Sequence, residues 1–207
     1  GRVQYTSKGA SARAGIDVSY SQGDIDWAAV AADGVDFAII RLGYRGYTQG
    51  AIQTDSCFYQ NIQGALDAGL DVGVYFFSQA ITPEEARQEA DYVLSLLESY
   101  PITCPVVYDW EPITFAEGAR TDQLENEVLT QCAAAFCQQI AQAGYTPAVY
   151  FNQEMGYFSF DLKELSPFQF WLAEYDSYPS FYYGFTMWQY THEGRVDGIQ
   201  TPVDWNL

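Results

Sequence analysis

Positive charge is scarce in this chain. Its 207 residues include nine Lys and Arg against 27 Asp and Glu, a formal net charge of −18. No basic surface is available to neutralise phosphates, which argues against nucleic acid as a partner and against docking on an anionic membrane. No apolar run approaches the roughly 20 residues needed to span a bilayer, so no membrane insertion is expected. Histidine is limited to His192, in a Thr-His-Glu-Gly segment that reads as a turn. One histidine removes histidine-based zinc chemistry and leaves a Ser-His-Asp hydrolase without support. No Gly-rich phosphate loop precedes a helix, so nucleotide chemistry has no motif to stand on.

Cysteine is also sparse, and its four positions fit neither a zinc spacing nor a small disulfide scaffold. Cys132 and Cys137 lie five apart on an expected helix, roughly 140° apart around it, which opposes a bond between them. If a disulfide forms, Cys104 with Cys137 is the expected pair; buried free thiols are the alternative.

Aromatic residues are abundant, with 17 Tyr, 13 Phe and 5 Trp. Tyr and Trp pair a flat apolar face with a polar tip, which suits sugar clefts as well as cores. The most informative stretch is Val106-Val107-Tyr108-Asp109-Trp110-Glu111-Pro112. It is an apolar strand pattern ending in two carboxylates at i and i+2, a spacing that points side chains the same way. A core strand has no packing use for two like charges on one face. Two close carboxylates in different surroundings can have their pKa values driven apart, leaving one as acid and one as base. That is the equipment of a glycosidase. The bland alternative is a pair solvated at the strand end, or bound to a cation or arginine.

Short apolar segments alternate with helical patterns, which predicts an α/β fold with a parallel sheet. Strands are expected at Gly15–Val18, Phe37–Arg41, Val72–Phe77, Val106–Trp110, Ala148–Phe151, Phe170–Ala173 and Thr186–Gln189, with a short one near Val203. Thr82 with Glu85 reads as a capping box and Pro83 as the first helical position. A second helix is expected from about Gln123 to Ala143, stopped by Gly144. Beyond residue 150 helical signals fade. The pattern describes an irregular TIM-like β/α barrel, about five βα units followed by a β-rich closure. Functional residues of such barrels gather at the C-terminal ends of strands, where Asp17 and the Asp109/Glu111 pair fall.

The ordered motifs resemble those of the glycoside hydrolase family 25 lysozymes (N-acetylmuramidases). The likeness begins with Gly15-Ile16-Asp17-Val18-Ser19 and Gln22-Gly23-Asp24-Ile25-Asp26-Trp27. It continues through Phe37-Ala38-Ile39-Ile40-Arg41-Leu42-Gly43-Tyr44, Asp55, Phe58 and Asn61, then Gly73-Val74-Tyr75-Phe76-Phe77-Ser78 and the Asp109-Trp110-Glu111 strand. Gly144-Tyr145-Thr146-Pro147, Trp171-Leu172-Ala173, Met187-Trp188-Gln189-Tyr190 and Val203-Asp204-Trp205-Asn206 complete it.

The polar opening segment reads as a linker remnant at residues 1–13, and the resemblance implies a single catalytic barrel over residues 14–207. It implies hydrolysis of the β-1,4 bond between N-acetylmuramic acid and N-acetylglucosamine in peptidoglycan, without a cofactor or metal. The family's acidic set maps onto Asp17, Asp109, Glu111 and Asp204. Glu111 matches the general acid. Asp109 matches either the nucleophile or the group that steadies the substrate's own acetamide, and the residues leave both open. Tyr44, Tyr75, Phe77, Tyr150, Asn152, Trp171, Trp188 and Gln189 are candidate sugar contacts by position, and Arg41 is expected to pair with the acidic cluster. The expected setting is extracellular or wall-associated, as a monomer and as a domain of a longer exported protein, with bacterial glycan strands as partner. Two competitors are a family 18 chitinase-like barrel, whose longer acidic run is missing at Val106-Val107-Tyr108, and a non-catalytic wall-binding domain.

Overall fold

Alternation along each strand sorts this sequence into two environments, because successive side chains of a strand point to opposite faces. The computed structural model describes residues 2–3, 6–7 and 10–207. In chain order its main elements are β1 (Gly15–Val18), α1 (Trp27–Ala32), β2 (Phe37–Arg45), β3 (Ile52–Thr54), α2 (Phe58–Asp67), β4 (Asp71–Phe77), α3 (Pro83–Leu97), β5 (Val106–Asp109), α4 (Asn126–Gln142), β6 (Pro147–Asn152), α5 (Gln153–Phe158), β7 (Gln169–Ala173), β8 (Met187–Gly194) and β9 (Val203–Asn206). Eight strands close in the order β1-β2-β4-β5-β6-β7-β8-β9, with β9 returning to β1. From β1 through β8 all barrel neighbours are parallel. β9 runs antiparallel to both of its neighbours. The five βα units and the strand-rich closure are those expected from the sequence.

Inside the barrel, Phe37, Ile39, Val107, Ala148, Trp171 and Met187 form one apolar cluster. Phe37 fills the space over Gly15, where a Cβ would lie 2.3 Å from its ring. Outside it, residues of opposite parity such as Val74, Phe76, Val106, Tyr108 and Val149 are fully buried under the helices. A fully buried Val or Phe contributes about 1.5–3 kcal/mol, so this outer layer is the larger stabilising term.

The carboxyl end of β2 departs from the expected boundary. The strand does not stop at Arg41 but shifts register between Arg41 and Gly43 and continues to Arg45. There β3 pairs antiparallel with it. Gly43 permits the close approach, since a Cβ would sit 2.4 Å from the Gln53 carbonyl oxygen. At α3, Thr82 Oγ1 accepts the Glu85 N–H as expected. The Glu85 carboxylate, however, reaches Ile81 N–H and Arg120 instead of completing the box at Thr82.

Two further expectations change. All four cysteines are free thiols. Cys104 packs against the cluster inside the barrel, while Cys137 belongs to the layer between helices and sheet. The sheet separates them, so the expected Cys104–Cys137 pair does not form. His192 lies on the exposed end of β8 rather than in a turn, its ring centroid 4.7 Å from that of Tyr175. Within residues 1–13, Thr6–Ser7 pairs antiparallel with Ala10–Ser11, and Arg2 pairs with Asp33 and lies over the Trp205 ring.

Candidate active site

The inward parity that builds the core at one end of the barrel delivers polar groups at the other. Asp17 follows Gly15 by two, Asp109 follows Val107 by two, and Tyr150 follows Ala148 by two. β9 is antiparallel, so Asp204 near its start reaches the same rim and is the cross-strand partner of Asp17. β5 ends at Asp109, and Glu111 stands beyond the hydrogen-bonded ladder. Asp17, Asp109, Glu111 and Asp204 nevertheless line one cavity of about 200 Å³ with Tyr75, Tyr150, Trp171, Tyr175 and Gln189.

A buried hydrogen-bond network fixes the wall around Asp17. Its Oδ2 accepts from Gln189 Nε2 at 2.9 Å and from Asn206 Nδ2 at 2.8 Å. Gln189 Oε1 accepts from the hydroxyls of Tyr150 and Tyr175. Asn206 Oδ1 accepts from Trp171 Nε1 at 2.8 Å. Both amides are therefore oriented by their partners. Trp171 also meets Tyr150 edge-on, with centroids 4.9 Å apart.

Asp109 is different. It is only 5% exposed, and its buried Oδ1 has no hydrogen-bond partner. A buried acceptor left unpaired costs about 1–3 kcal/mol, so this oxygen is a stored demand for a donor. The backbone around it is held firmly. The Asp109 carbonyl accepts Ser78 N–H at 2.7 Å. The Glu111 carbonyl accepts Gln79 Nε2 at 3.1 Å, and Gln79 Oε1 accepts the Thr121 hydroxyl.

Crowding carboxylates in a desolvated cavity favours their neutral forms. Burial, and next the charge of Asp204, push Asp17 up to about 8 against its two hydrogen bonds. Burial and the charges of Glu111 and Asp17 hold Asp109 well above the carboxylate range, opposed by Arg41. Glu111 is raised by burial and then by Asp17. Asp204 is raised to about 6, by burial first, with Glu111 adding to it and its own backbone N–H opposing. Among the described residues, no group of three or more His, Cys, Asp or Glu is disposed to hold a metal ion.

Several candidates stand elsewhere. Tyr44 and Phe77 line a separate groove. Asn152 is exposed and caps α5, accepting Met155 N–H at 2.9 Å. Trp188 faces the helix layer and donates its indole N–H to the Glu174 carbonyl. Adjacent strand residues face opposite ways, so Trp188 and Gln189 could not both point inward. Arg41 pairs with Asp55 at 2.7 Å rather than with the acidic cluster. Two further groups belong to the site, Tyr175 in the cavity lining and Asn206 buried behind Asp17. Asn206 carried a signal, since it shares parity with Asp204; Tyr175 lies past the end of β7 and carried none.

Fold and site together define a β/α barrel with an acid-lined cavity at the carboxyl rim. The model of the glycosyl hydrolases family 25 matches residues 16–199, and the chain belongs to that family. It is 30% identical to Lysozyme M1 of Streptomyces globisporus, over 93% of this chain and 66% of that protein. It is 28% identical to the autolytic lysozyme of Clostridium acetobutylicum, over 92% of this chain and 54% of that one. Thus the chain spans between about half and two thirds of the length of these relatives. The modular autolysin LytC of Streptococcus pneumoniae, solved in complex with a synthetic peptidoglycan ligand, superposes with a TM-score of 0.74 at 26% identity, covering 94% of this chain and 46% of LytC.

Proposed function

We propose that this barrel is a muramidase that hydrolyses the β-1,4 bond between N-acetylmuramic acid and N-acetylglucosamine in bacterial peptidoglycan, working outside the cytoplasmic membrane. The observation that carries the reading is the unpartnered Asp109 Oδ1, buried beside Glu111 in a cavity walled by aromatic rings. The lysozyme relatives and the peptidoglycan complex of LytC support the substrate class.

In this reading Glu111 is the general acid. Burial, and next the charge of Asp17, raise its pKa and so favour the protonated form that an acid needs; that proton goes to the glycosidic oxygen as the bond to the anomeric carbon breaks. Asp109 Oδ1 accepts the N–H of the 2-acetamido group of the sugar on the anomeric side. The acetamide carbonyl oxygen is thereby aimed at the anomeric carbon, and it forms the new bond from the face opposite the leaving group. The positive charge of the resulting oxazolinium ion favours the ionised form of Asp109, which burial, Glu111 and Asp17 otherwise oppose, and the carboxylate so formed balances that charge. Glu111, now a carboxylate, takes a proton from water as that water opens the ring. Two inversions give retention. Asp17 and Asp204 tune the site and help to position sugar.

Mass spectrometry of fragments from defined peptidoglycan tests the reading. New reducing ends should be muramic acid, and Glu111→Gln should release about 10³-fold fewer of them, within the range for loss of a catalytic acid. Reducing ends on glucosamine would overturn the bond assignment. Wild-type protein that sediments with walls and releases no reducing ends would establish a binding domain instead.

A further inference from the structure

Beside the acid-lined cavity runs a groove of about 690 Å³, walled in part by Tyr20, Tyr44, Phe77 and Phe115. The two spaces abut along β4, where Tyr75 lines the cavity and Phe77 the groove. Their charges are segregated. The cavity holds four carboxylates; the groove lining holds two arginines and no Asp or Glu, in a chain with 27 acidic residues.

The two arginines are not equivalent. Arg45 is spent: its guanidinium donates to Glu89, Gly50 and Glu85, and its side chain is 5% exposed. Arg41 gives only its Nε edge to Asp55. No acceptor among the described residues meets its two terminal nitrogens, and its side chain is 18% exposed. Asp55 is itself committed, accepting also from Tyr20 N–H and Cys57 N–H. The Tyr20 and Tyr44 rings flank the guanidinium, with centroids 4.8 and 5.5 Å from its Cζ. Arg41 is therefore held rigid with its terminal nitrogens left for a ligand, and a guanidinium fork of this kind matches a carboxylate.

Building on the muramidase reading, we infer that this groove is a carboxylate-recognition subsite, in which Arg41 binds an acid group carried by the glycan substrate. Two sources share that chemistry: the lactyl ether acid of muramic residues freed of peptide, and the acids of an attached peptide.

The test uses two matched pairs of glycan strands. In one the lactyl acid is free or amidated; in the other the peptide acids are free or amidated. Wild type should favour the free acid over its amide about tenfold in kcat/KM, through KM, as expected for a charge-assisted hydrogen bond. The pair that shows the preference identifies the source. Arg41→Gln should bring that ratio close to one, and Arg41→Lys should restore part of it. Using the ratio cancels any effect of Arg41 on Asp109. A ratio near one for wild type with both pairs, or the same ratio in wild type and Arg41→Gln, overturns the inference. Should Arg41→Gln unfold by leaving Asp55 unpaired, Arg41→Gln combined with Asp55→Asn is scored in the same way. If wild type cleaves none of the strands, the muramidase reading fails. The same ratio is then read from equilibrium binding of the strands, comparing wild type with the Arg41→Gln variant.

Discussion

Gln79 holds Glu111 by its backbone: the side-chain amide donates to the Glu111 carbonyl at 3.1 Å while its own oxygen accepts the Thr121 hydroxyl at 2.7 Å. β5 stops at Asp109, so this contact does for Glu111 what a ladder hydrogen bond would otherwise do. Gln79→Ala should lower kcat about tenfold with little change in KM, since small misplacements of reacting groups are costly. It should also lower stability by about 1–3 kcal/mol through the Glu111 carbonyl and the Thr121 hydroxyl left unpaired. Steady-state kinetics on soluble glycan fragments check this; a change confined to KM would contradict it.

Asp17 sets a pH dependence of stability whose sign is fixed. Its native pKa of about 8 lies above the ordinary carboxylate value, so the native state holds a proton that the unfolded chain releases. Stability must therefore fall as pH rises from about 4 to 8. Asp17→Asn keeps an acceptor for Gln189 and Asn206 and removes the buried charge. Thermal melts should show the variant near wild type at pH 4.5 and more stable at pH 8, by about 4 kcal/mol. A gap that widens toward acid would refute the assignment.

The same variant should move the pH–activity profile. Asp17 is one of the two causes that raise Glu111. Removing its charge lets Glu111 lose its proton at lower pH, so the alkaline limb of residual activity should shift toward acid. An unmoved limb would mean that Glu111 is not the titrating acid.

Arg45 and Glu89 form a buried pair at 2.6 Å beneath the rim, with Ser78 bonded to the second Glu89 oxygen. Burial pushes Glu89 up to about 7 in spite of these partners. Arg45→Met should cost about 3–5 kcal/mol by stranding a buried charge. The loss should be greatest above pH 7 and smaller near pH 5, where Glu89 takes up a proton. Denaturant titrations at the two pH values measure the difference.

Net charge makes a further expectation. A chain at −18 is repelled by anionic walls at long range, and screening shortens that repulsion to about 8 Å at physiological ionic strength. Turbidity assays on purified walls should show activity rising from low to moderate salt. A steady decline with added salt would count against it.

Period-two patterning made most of the barrel legible from sequence, because Gly15/Asp17, Tyr75/Phe77 and Val107/Asp109 each declare a shared face. Trp188 shows what happens when adjacency in a motif is read without parity: it lies in the helix layer and Gln189 in the cavity. Asn152 was open to a plainer reading as the cap before Gln153–Phe158. The Cys104–Cys137 pairing failed because spacing along the chain carries no information about which side of a closed sheet a residue occupies. Gln79 and the Arg41–Asp55 pair were invisible as site architecture for another reason. Gln79 acts through a contact between the segments that follow β4 and β5, and Arg41 through the turn-back of β3 onto β2, neither of which strand parity declares.

Barrel closure by β9 has a consequence for the order of events in folding. The hydrogen bond from Asn206 to Asp17 links positions 189 residues apart, and the cavity has no wall on that side until it forms. A chain still lacking β9 would present two open strand edges, those of β1 and β8, as templates for other chains. Catalytic competence and protection from aggregation thus arrive in one step, with the docking of a four-residue strand.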